Sequence, residues 1–400
     1  MTQRYDTYKD SGVQWLGEIP GHWEMRKMKY IFDERSEKNH PDEPMLSATQ
    51  SEGVILQSKY QGRVVVVNTG FEGLKLVKVG DFVIHLRSFQ GGIEYAYDQG
   101  IISAAYTILN PKYPEFSAYY KRLFKSSSFI DLLKICVTGI REGQNINYSK
   151  LKQFFIPLPP LSEQRSIVSF LDAKCGKIDE WVTKKQKEVE HLQELKQRVI
   201  ADAVTRGLNP HVKMKATNIP WLKEIPEHWE CVKLKMFCQD NKEKNKGNIE
   251  SCVLSLSYGN IIVKKNVNFG LVPENYDSYQ IVNPGNIILR LTDLQNDHKS
   301  LRTGLVKNRG IITSAYVGLI VKNMNSEYTQ LILHSYDVMK VFYGMGGGLR
   351  QSMSYTDIAN VYIPVPPLSE QKQIVSYLDA KCSKIDKLIA NITKEIECIK

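Results

Sequence analysis

Several residue patterns that identify common protein classes are missing from this chain of 400 residues. The seven cysteines are odd in number and form no Cys-x-x-Cys pair, which argues against a disulfide framework and a zinc ribbon. The eight histidines show no zinc-type spacing, so we expect no metal site. No apolar run approaches the roughly 20 residues that cross a bilayer, and Met1–Asp10 is polar. We therefore predict a protein of the reducing cytoplasm with no membrane partner.

Sequence signatures of catalysis are missing as well. The chain contains no Gly-x-Ser-x-Gly, no kinase signature, no Asn-Pro-Pro-aromatic signature of adenine methyltransferases and no glycine-rich cofactor loop. Gly346–Gly348 is not followed by the Gly-Lys-Ser/Thr of a phosphate-binding loop. We therefore expect no catalytic residue and no cofactor in this chain.

The composition is that of a folded protein with a basic surface. Hydrophobic residues make up 42% and charged residues 24%, which suits buried cores, and the length predicts two or three domains. Lys and Arg number 53 against 43 Asp and Glu, a net charge of +10 with a pI near 9.0. This balance favours a polyanionic partner, with nucleic acid as the first hypothesis.

The clearest positive feature is an internal duplication, in which blocks of the first half recur 206 or 207 residues later. The matched blocks are Trp15–Glu24 with Trp221–Glu230, Ile156–Gln164 with Ile363–Gln371, and Leu171–Cys175 with Leu378–Cys382. The segments between the blocks are far less alike. The pattern indicates two similar frames that hold two different inserts. Such an arrangement suits a protein that recognises two different targets in the same way.

The end of each frame carries helix signals. A Pro-Pro pair precedes Ser162 and Ser369, which suit the N-cap position, and Gly207 follows the first stretch as a helix stop. We predict helices over 162–206 and 369–400. The first would be on the order of 70 Å long at about 1.5 Å per residue.

Apolar residues repeat every seven positions along both predicted helices. In the first helix one series is Leu171, Ile178, Leu192 and Val199, interrupted by Lys185, and the other is Val168, Cys175, Val182, Val189 and Ala203. In the second they are Leu378, Ile385, Ile392 and Ile399, and Val375, Cys382, Ile389 and Ile396. Two matching apolar series in one chain predict an intramolecular antiparallel coiled coil. A parallel homodimer is the rival arrangement.

Each insert reads as a mixed α/β domain. Strands are predicted at 63–67, 82–86, 287–290 and 315–320, and helices at 114–135 and 326–343. The inserts carry +8 of the net charge of +10, and the helices are almost neutral. The tryptophans of the duplicated blocks (Trp15, Trp23, Trp221 and Trp229) are interpreted as core anchors that pack each insert onto the helices.

Two loops in each insert collect residues suited to base edges or phosphates. Arg can donate two hydrogen bonds to guanine, and Gln or Asn can pair with adenine. The candidates are Arg87, Gln90, Arg141, Gln144, Asn145 and Tyr148 in the first insert, and Arg290, Gln295, Asn296, Arg350, Gln351 and Tyr355 in the second. The alternative interpretation is that these residues only form surface loops.

The two copies of Pro-Pro-Leu-Ser-Glu-Gln, at 159–164 and 366–371, each end an insert and open a helix. With the two tryptophan-rich blocks, they resemble the specificity subunit of bacterial type I restriction-modification enzymes over nearly the whole chain. The resemblance implies target recognition domains at 1–161 and 209–368, each reading one half of a split, asymmetric site in double-stranded DNA. The helical spacers, at 162–208 and 369–400, would set the gap between the halves.

The resemblance also implies partners. Two methyltransferase subunits that use S-adenosylmethionine would dock on this chain, and restriction subunits that use ATP and Mg²⁺ would join them, with no chemistry in the chain itself. The alternatives are a coiled-coil adaptor or DNA-binding scaffold outside such a complex, and a stand-alone DNA-modifying enzyme.

Overall fold

A computed structural model describes residues 5–62, 69–138, 145–264, 275–297, 301–345 and 352–399. The chain divides into two compact units, Met1–Asp179 (unit 1) and Glu180–Lys400 (unit 2). Within the described ranges, no helix combines the length and the apolar character needed to cross a membrane.

Unit 1 combines short strands with short helices. The strands are β1 (Tyr8–Asp10), β2 (Glu18–Pro20), β3 (Glu24–Lys27), β4 (Phe32–Arg35), β5 (Leu46–Thr49), β6 (Gly53–Leu56), β7 (Lys75–Val77), β8 (Phe82–Ile84), β9 (Glu94–Tyr95), β10 (Gly100–Ile102), β11 (Thr107–Pro111), β12 (Val137–Thr138), β13 (Asn145–Ile146) and β14 (Phe155–Leu158). The helices are α1 (Ser88–Gly91), α2 (Ser117–Leu123), α3 (Ser127–Ile135) and α4 (Tyr148–Leu151), and the long helix α5 (Leu161–Arg206) begins here.

The centre of unit 1 is a four-stranded antiparallel sheet in the order β4-β11-β8-β9. Alternate residues of a strand face opposite sides of the sheet. On β8, Phe82 and Ile84 therefore enter the main core, which includes aromatic residues of α2 and α3, whereas Val83 enters a smaller core on the other face. Burial of both faces explains why β8 is apolar at every position.

Unit 2 repeats this design. Its strands are β15 (Met214–Ile219), β16 (Leu222–Pro226), β17 (Glu230–Lys233), β18 (Cys238–Asp240), β19 (Leu254–Ser257), β20 (Asn260–Val263), β21 (Gln280–Val282), β22 (Ile287–Leu289), β23 (Thr303–Leu305), β24 (Gly310–Ile312), β25 (Val317–Val321) and β26 (Tyr362–Val365). Its helices are α6 (Ser326–Val338), α7 (Tyr355–Ile358) and α8 (Leu368–Ile399), together with the end of α5.

The central sheet of unit 2 has the order β18-β25-β22-β23, so β22 occupies the place that β8 has in unit 1. Ile287 and Leu289 enter the main core, and Ile288 enters the smaller one, as their counterparts do in unit 1. The prediction of two mixed α/β inserts is confirmed. Predicted strand runs contain β8 and β22 and overlap β25 at residues 317–320, whereas the run at 63–67 lies outside the described residues.

The two long helices begin one residue earlier than predicted. Pro160 and Pro367 accept the first intrahelical hydrogen bonds, from the backbone N–H groups of Gln164 and Gln371 at 2.9 and 3.0 Å. The prolines therefore hold the N-cap position, and the prediction of Ser162 and Ser369 as N-caps is wrong. The Gln164 side chain is buried and donates to the Pro159 carbonyl at 2.8 Å, which fixes the chain as it enters the helix.

Within unit 2, the end of α5 packs along α8. Val182 clusters with Ile392 and Ile396, and further along α5 the Lys196 ammonium lies 2.7 Å from a carboxylate oxygen of Asp386. Later residues of α5 thus meet earlier residues of α8, which makes this pairing intramolecular and antiparallel. The seven-residue repeat identifies most of the buried residues of the pairing, but Ile178 and Ile399 are exposed. A regular coiled-coil register stays a prediction.

The duplicated tryptophans attach each insert to the start of a long helix. In unit 1 the Trp23 indole N–H lies 3.1 Å from Glu163 Oε2, and His22 Nε2 lies 2.8 Å from the same oxygen. In unit 2, Trp229 and His228 contact Glu370 Oε2 at 3.1 and 2.9 Å. Trp15 and Trp221 pack against the main cores. The prediction of core anchors is confirmed for Trp15, Trp221 and Trp229, whereas the half-buried Trp23 contacts the helix through its hydrogen bond to Glu163.

Candidate nucleic-acid interface

The first candidate loop of each insert leaves the same place in the central sheet. Residues 85–93 connect β8 to the edge strand β9, and residues 290–302 connect β22 to the edge strand β23. Because β8 and β22 hold equivalent positions, the two frames present loops of different length and sequence from the same edge. A constant scaffold of this kind can carry loops whose exposed side chains differ.

In unit 1 this loop presents Arg87 and Gln90 to solvent beside the single turn of α1. The turn is fixed by the Ser88 hydroxyl, which accepts a hydrogen bond from the His85 backbone N–H at 2.9 Å. Gly92 ends the turn with φ of +86°, and a Cβ there would lie 2.2 Å from the Phe124 carbonyl oxygen. Only glycine fits at this position.

An ion pair between a buried carboxylate and a partly exposed lysine supports the loop. The Glu94 carboxylate is fully buried, and both of its oxygens accept hydrogen bonds from the Lys125 ammonium, at 2.6 and 2.7 Å. Lys125 also donates to the Gly91 carbonyl at 2.9 Å, so the pair is tied to the last turn of α1. Loss of Lys125 would leave the buried Glu94 carboxylate without this partner. Sequence analysis missed this pair because its partners are 31 residues apart and form no motif.

The corresponding loop of unit 2 presents Gln295 and Asn296 to solvent. The Asn296 amide donates to the Asp293 carboxylate at 2.7 Å, and Asp293 has a positive φ of 56°. Arg290 is half-buried, and its guanidinium lies 3.4 Å from the Asp297 carboxylate. Gln295 and Asn296 are therefore the outward-facing candidates of this loop, whereas Arg290 contacts the loop itself.

The second pair of candidate loops is described only in part. Arg141, Gln144, Arg350 and Gln351 lie outside the described residues. Asn145, at the start of β13, is exposed.

The two candidate tyrosines lie close to their units' cores. Tyr148 belongs to the main core of unit 1, where burial raises the pKa of its hydroxyl to about 12. The Tyr355 ring is half-buried, and its hydroxyl donates to the Cys238 carbonyl at 2.8 Å. The Tyr148 ring packs inside the domain, whereas the half-buried Tyr355 ring is partly exposed, and a place for either tyrosine in the interface stays a prediction.

Sequence analysis also overlooked an exposed aromatic residue. Tyr258 is 87% exposed, more than any other large apolar side chain in the described ranges. It lies at the tip of the hairpin formed by β19 and β20 with a positive φ of 46°, next to Gly259. The turn residues between two apolar runs were the available signal. An aromatic ring held on a turn suits stacking on a base or a sugar.

Titratable clusters are few where the structure describes the chain. No group of three or more His, Cys, Asp or Glu side chains is placed to hold a metal ion in that part. All seven cysteines are free thiols, and burial raises the pKa of the Cys238 thiol to about 12. A thiol of this kind is an inert core residue.

Comparisons with known proteins agree with this architecture. The family model of the type I restriction modification DNA specificity domain matches residues 16–191 and 226–398. A putative type I restriction enzyme MjaX specificity subunit of Methanocaldococcus jannaschii is 26% identical over 416 residues, which cover 96% of this chain and 91% of the relative. The MjaVIII specificity subunit of the same organism is 26% identical over 344 residues, covering 81% and 76%.

A chain in a solved structure of a type I R-M system has the same fold. It is 16% identical, with a TM-score of 0.62 over 95% of each chain. The family model covers both copies of the internal repeat and most of the 400 residues. This chain therefore belongs to the type I restriction-modification DNA specificity family.

Proposed function

We propose that this chain recognises a bipartite, asymmetric site in double-stranded DNA, one half with each insert, as the specificity subunit of a type I restriction-modification complex. Family membership makes it a DNA-recognition subunit without catalytic function. The recognition domains would be 1–161 and 209–368, and the spacers 162–208 and 369–400. Methylation with S-adenosylmethionine and cleavage with ATP and Mg²⁺ would belong to partner subunits in the cytoplasm.

One observation carries this proposal: two equivalent sheets present unlike loops from the same edge. A duplication that served only stability would not need its differences concentrated in the loops. A protein that recognises two different half-sites needs the same frame twice, with different DNA-contacting residues in each copy. The inserts also carry +8 of the net charge of +10, as expected of surfaces that approach phosphates.

In the first candidate loops, Arg87 and Gln90 of unit 1 and Gln295 and Asn296 of unit 2 face solvent. Gln and Asn amides match the donor and acceptor of adenine in the major groove, and Arg matches guanine. Arg141, Gln144, Asn145, Arg350 and Gln351 complete the proposed interface. Arg290 would contribute by shaping its loop.

The long helices also offer equivalent docking positions for two copies of one partner. Phe170 on α5 and Tyr377 on α8 occupy the same position of the repeat and are 51% and 42% exposed. Each precedes a lysine by four residues, Lys174 and Lys381, and the Lys174 ammonium lies over the Phe170 ring at 5.6 Å. Repeated exposed aromatics suit a partner present twice, as the two methyltransferase subunits would be.

The test is a domain exchange. Residues 1–161 are replaced by the corresponding segment of another family member, and the methylated DNA motif is determined by sequencing of methylated bases in a host that expresses the complex. We expect one half of the motif to change, with the other half and the gap unchanged. An unchanged motif, or absence of any bipartite motif in the parent complex, would contradict the proposal and favour an adaptor role.

A further inference from the structure

The first candidate loop of unit 2 closes around a buried arginine, Arg302, at its C-terminal end. Its side chain is fully buried, which is rare for arginine unless every donor is paired. All five guanidinium N–H donors of Arg302 have an acceptor. The acceptors are the Tyr343 hydroxyl at 3.0 Å from Nε, the carbonyl oxygens of Arg290 and Thr292 at 3.1 and 2.8 Å from Nη1, and those of Asp293 and Asp297 from Nη2.

Four of these acceptors are backbone carbonyls of the loop itself. A planar guanidinium can bridge carbonyls on several sides of one loop, whereas a lysine ammonium has only three donors in a tetrahedral arrangement. The loop is closed at its base by the Arg290 backbone N–H, which donates to the Arg302 carbonyl at 2.8 Å. Arg302 therefore bridges the backbone at four positions of residues 290–297, which are also held by the buried side chains of Leu291 and Leu294.

Arg302 also joins the loop to the rest of unit 2. Its backbone N–H donates to the buried Asp337 carboxylate on α6 at 2.6 Å. Its guanidinium carbon lies 5.3 Å from the centre of the Tyr343 ring. The loop is thereby anchored to two segments that pack in the main core.

Unit 1 supports its first candidate loop with other residues. The strand registers pair Phe82 with Tyr95 and Ile287 with Leu305, which places Gly92 at the position of Arg302. In unit 1 the loop is held by Lys125 and Glu94, which reach it from outside. Each insert therefore supports its first candidate loop differently, from outside the loop in unit 1 and from the end of the loop itself in unit 2.

We infer that Arg302 is a positioning residue for DNA specificity, which sets the loop backbone and so the places of Gln295 and Asn296. This inference rests on the proposed function. It assigns Arg302 an effect on the half-site read by unit 2 alone. Arg302 is fully buried, so it acts through the loop and not by contact with DNA.

The test uses the complex with its methyltransferase subunits and a DNA library randomised in both half-sites. Arg302→Lys keeps the charge and removes most of the carbonyl contacts. Arg309→Lys is the matched control, because Arg309 is an exposed arginine of the same unit that contacts Glu250 and Asn283 at 3.2 and 3.0 Å. For Arg302→Lys we expect base preference in one half-site to fall about tenfold or more, with the other half unchanged.

Hydrogen exchange of the same variants separates positioning from stability. We expect faster amide exchange in the Arg302→Lys variant to be confined to residues 290–303, with both half-site preferences of Arg309→Lys as in the parent. Parental preference in both half-sites for Arg302→Lys, or faster exchange throughout 207–345, would overturn the inference. Absence of any half-site preference in the parent would instead contradict the proposed function.

Discussion

Single residues connect each insert to its helix at one carboxylate. Glu163 Oε2 lies within hydrogen-bond distance of His22 and Trp23. Burial raises the pKa of Glu163, but hydrogen bonds from Tyr5, His22 and Trp23 outweigh this effect, so the pKa lies below its usual value. A carboxyl group with a depressed pKa in the folded state contributes stability above its unfolded pKa and loses it as the pH falls.

Glu163→Gln should therefore destabilise unit 1. Loss of a charged acceptor for the two ring N–H groups should lower the free energy of unfolding by about 1–2 kcal/mol at pH 7. The loss should shrink as the pH falls below the usual carboxyl pKa, and it should be smallest below the depressed pKa of folded Glu163, where the parent carboxyl group is protonated. Urea unfolding followed by tryptophan fluorescence at several pH values measures both effects. Glu190→Gln, at an exposed position of the same helix, is the control, and equal stability of the two variants would contradict the prediction.

The long helices act at the scale of the element. Lys185 faces Glu395, and Lys196 faces Asp386, so an added turn in one helix needs a matching turn in the other. Seven residues are about two turns and keep the same face of the helix towards its partner.

Insertion of one heptad beside Lys185 together with one beside Glu395 should lengthen the spacer by about 10 Å. This length corresponds to roughly three base pairs of DNA. We expect the methylated motif to keep both half-sites and to gain about three base pairs between them, as measured by sequencing of methylated DNA. The single insertion beside Lys185 is the control for disturbed pairing. An unchanged gap in the double insertion would show that the helices do not set the distance.

The whole molecule is a duplicated frame, and its outward helix faces are duplicated with it. Residues 172–174 and 379–381 are identical and exposed, and Phe170 and Tyr377 lie two positions before these segments. These repeated exposed residues are the part of the proposal that concerns the number of partner copies.

Phe170→Ala and Tyr377→Ala should each reduce the methyltransferase subunits bound per chain from two to one, and the double variant should bind none. Truncation of an aromatic residue at the centre of an interface commonly costs 2 kcal/mol or more, enough to empty one docking position at low concentration. The mass of the purified complex, measured by light scattering, gives the number bound. Glu190→Ala is the control, and full occupancy in the double variant would refute these docking positions.

Much of the architecture could be predicted from local patterns. The Pro-Pro pairs and seven-residue repeats predicted both long helices to within one residue at their starts, and apolar runs located β8, β22 and β25. The predicted N-caps, Ser162 and Ser369, were wrong because Pro160 and Pro367 occupy the N-cap positions. Arg87, Gln90, Gln295 and Asn296 were recognisable as exposed loop residues by type and spacing.

The supports of those loops could not be predicted in this way. Lys125 and Glu94 are far apart in the chain, and Arg302 looks like any surface arginine until its loop closes around it. Tyr148 and Tyr355 resembled reading residues in sequence, and their packing follows from the cores they join. The sequence by itself determined the duplication, the helices and the charge, because each is a repeat or a local pattern. Only the tertiary structure decided which side chains face solvent, because burial and hydrogen bonding depend on residues that meet from distant parts of the chain.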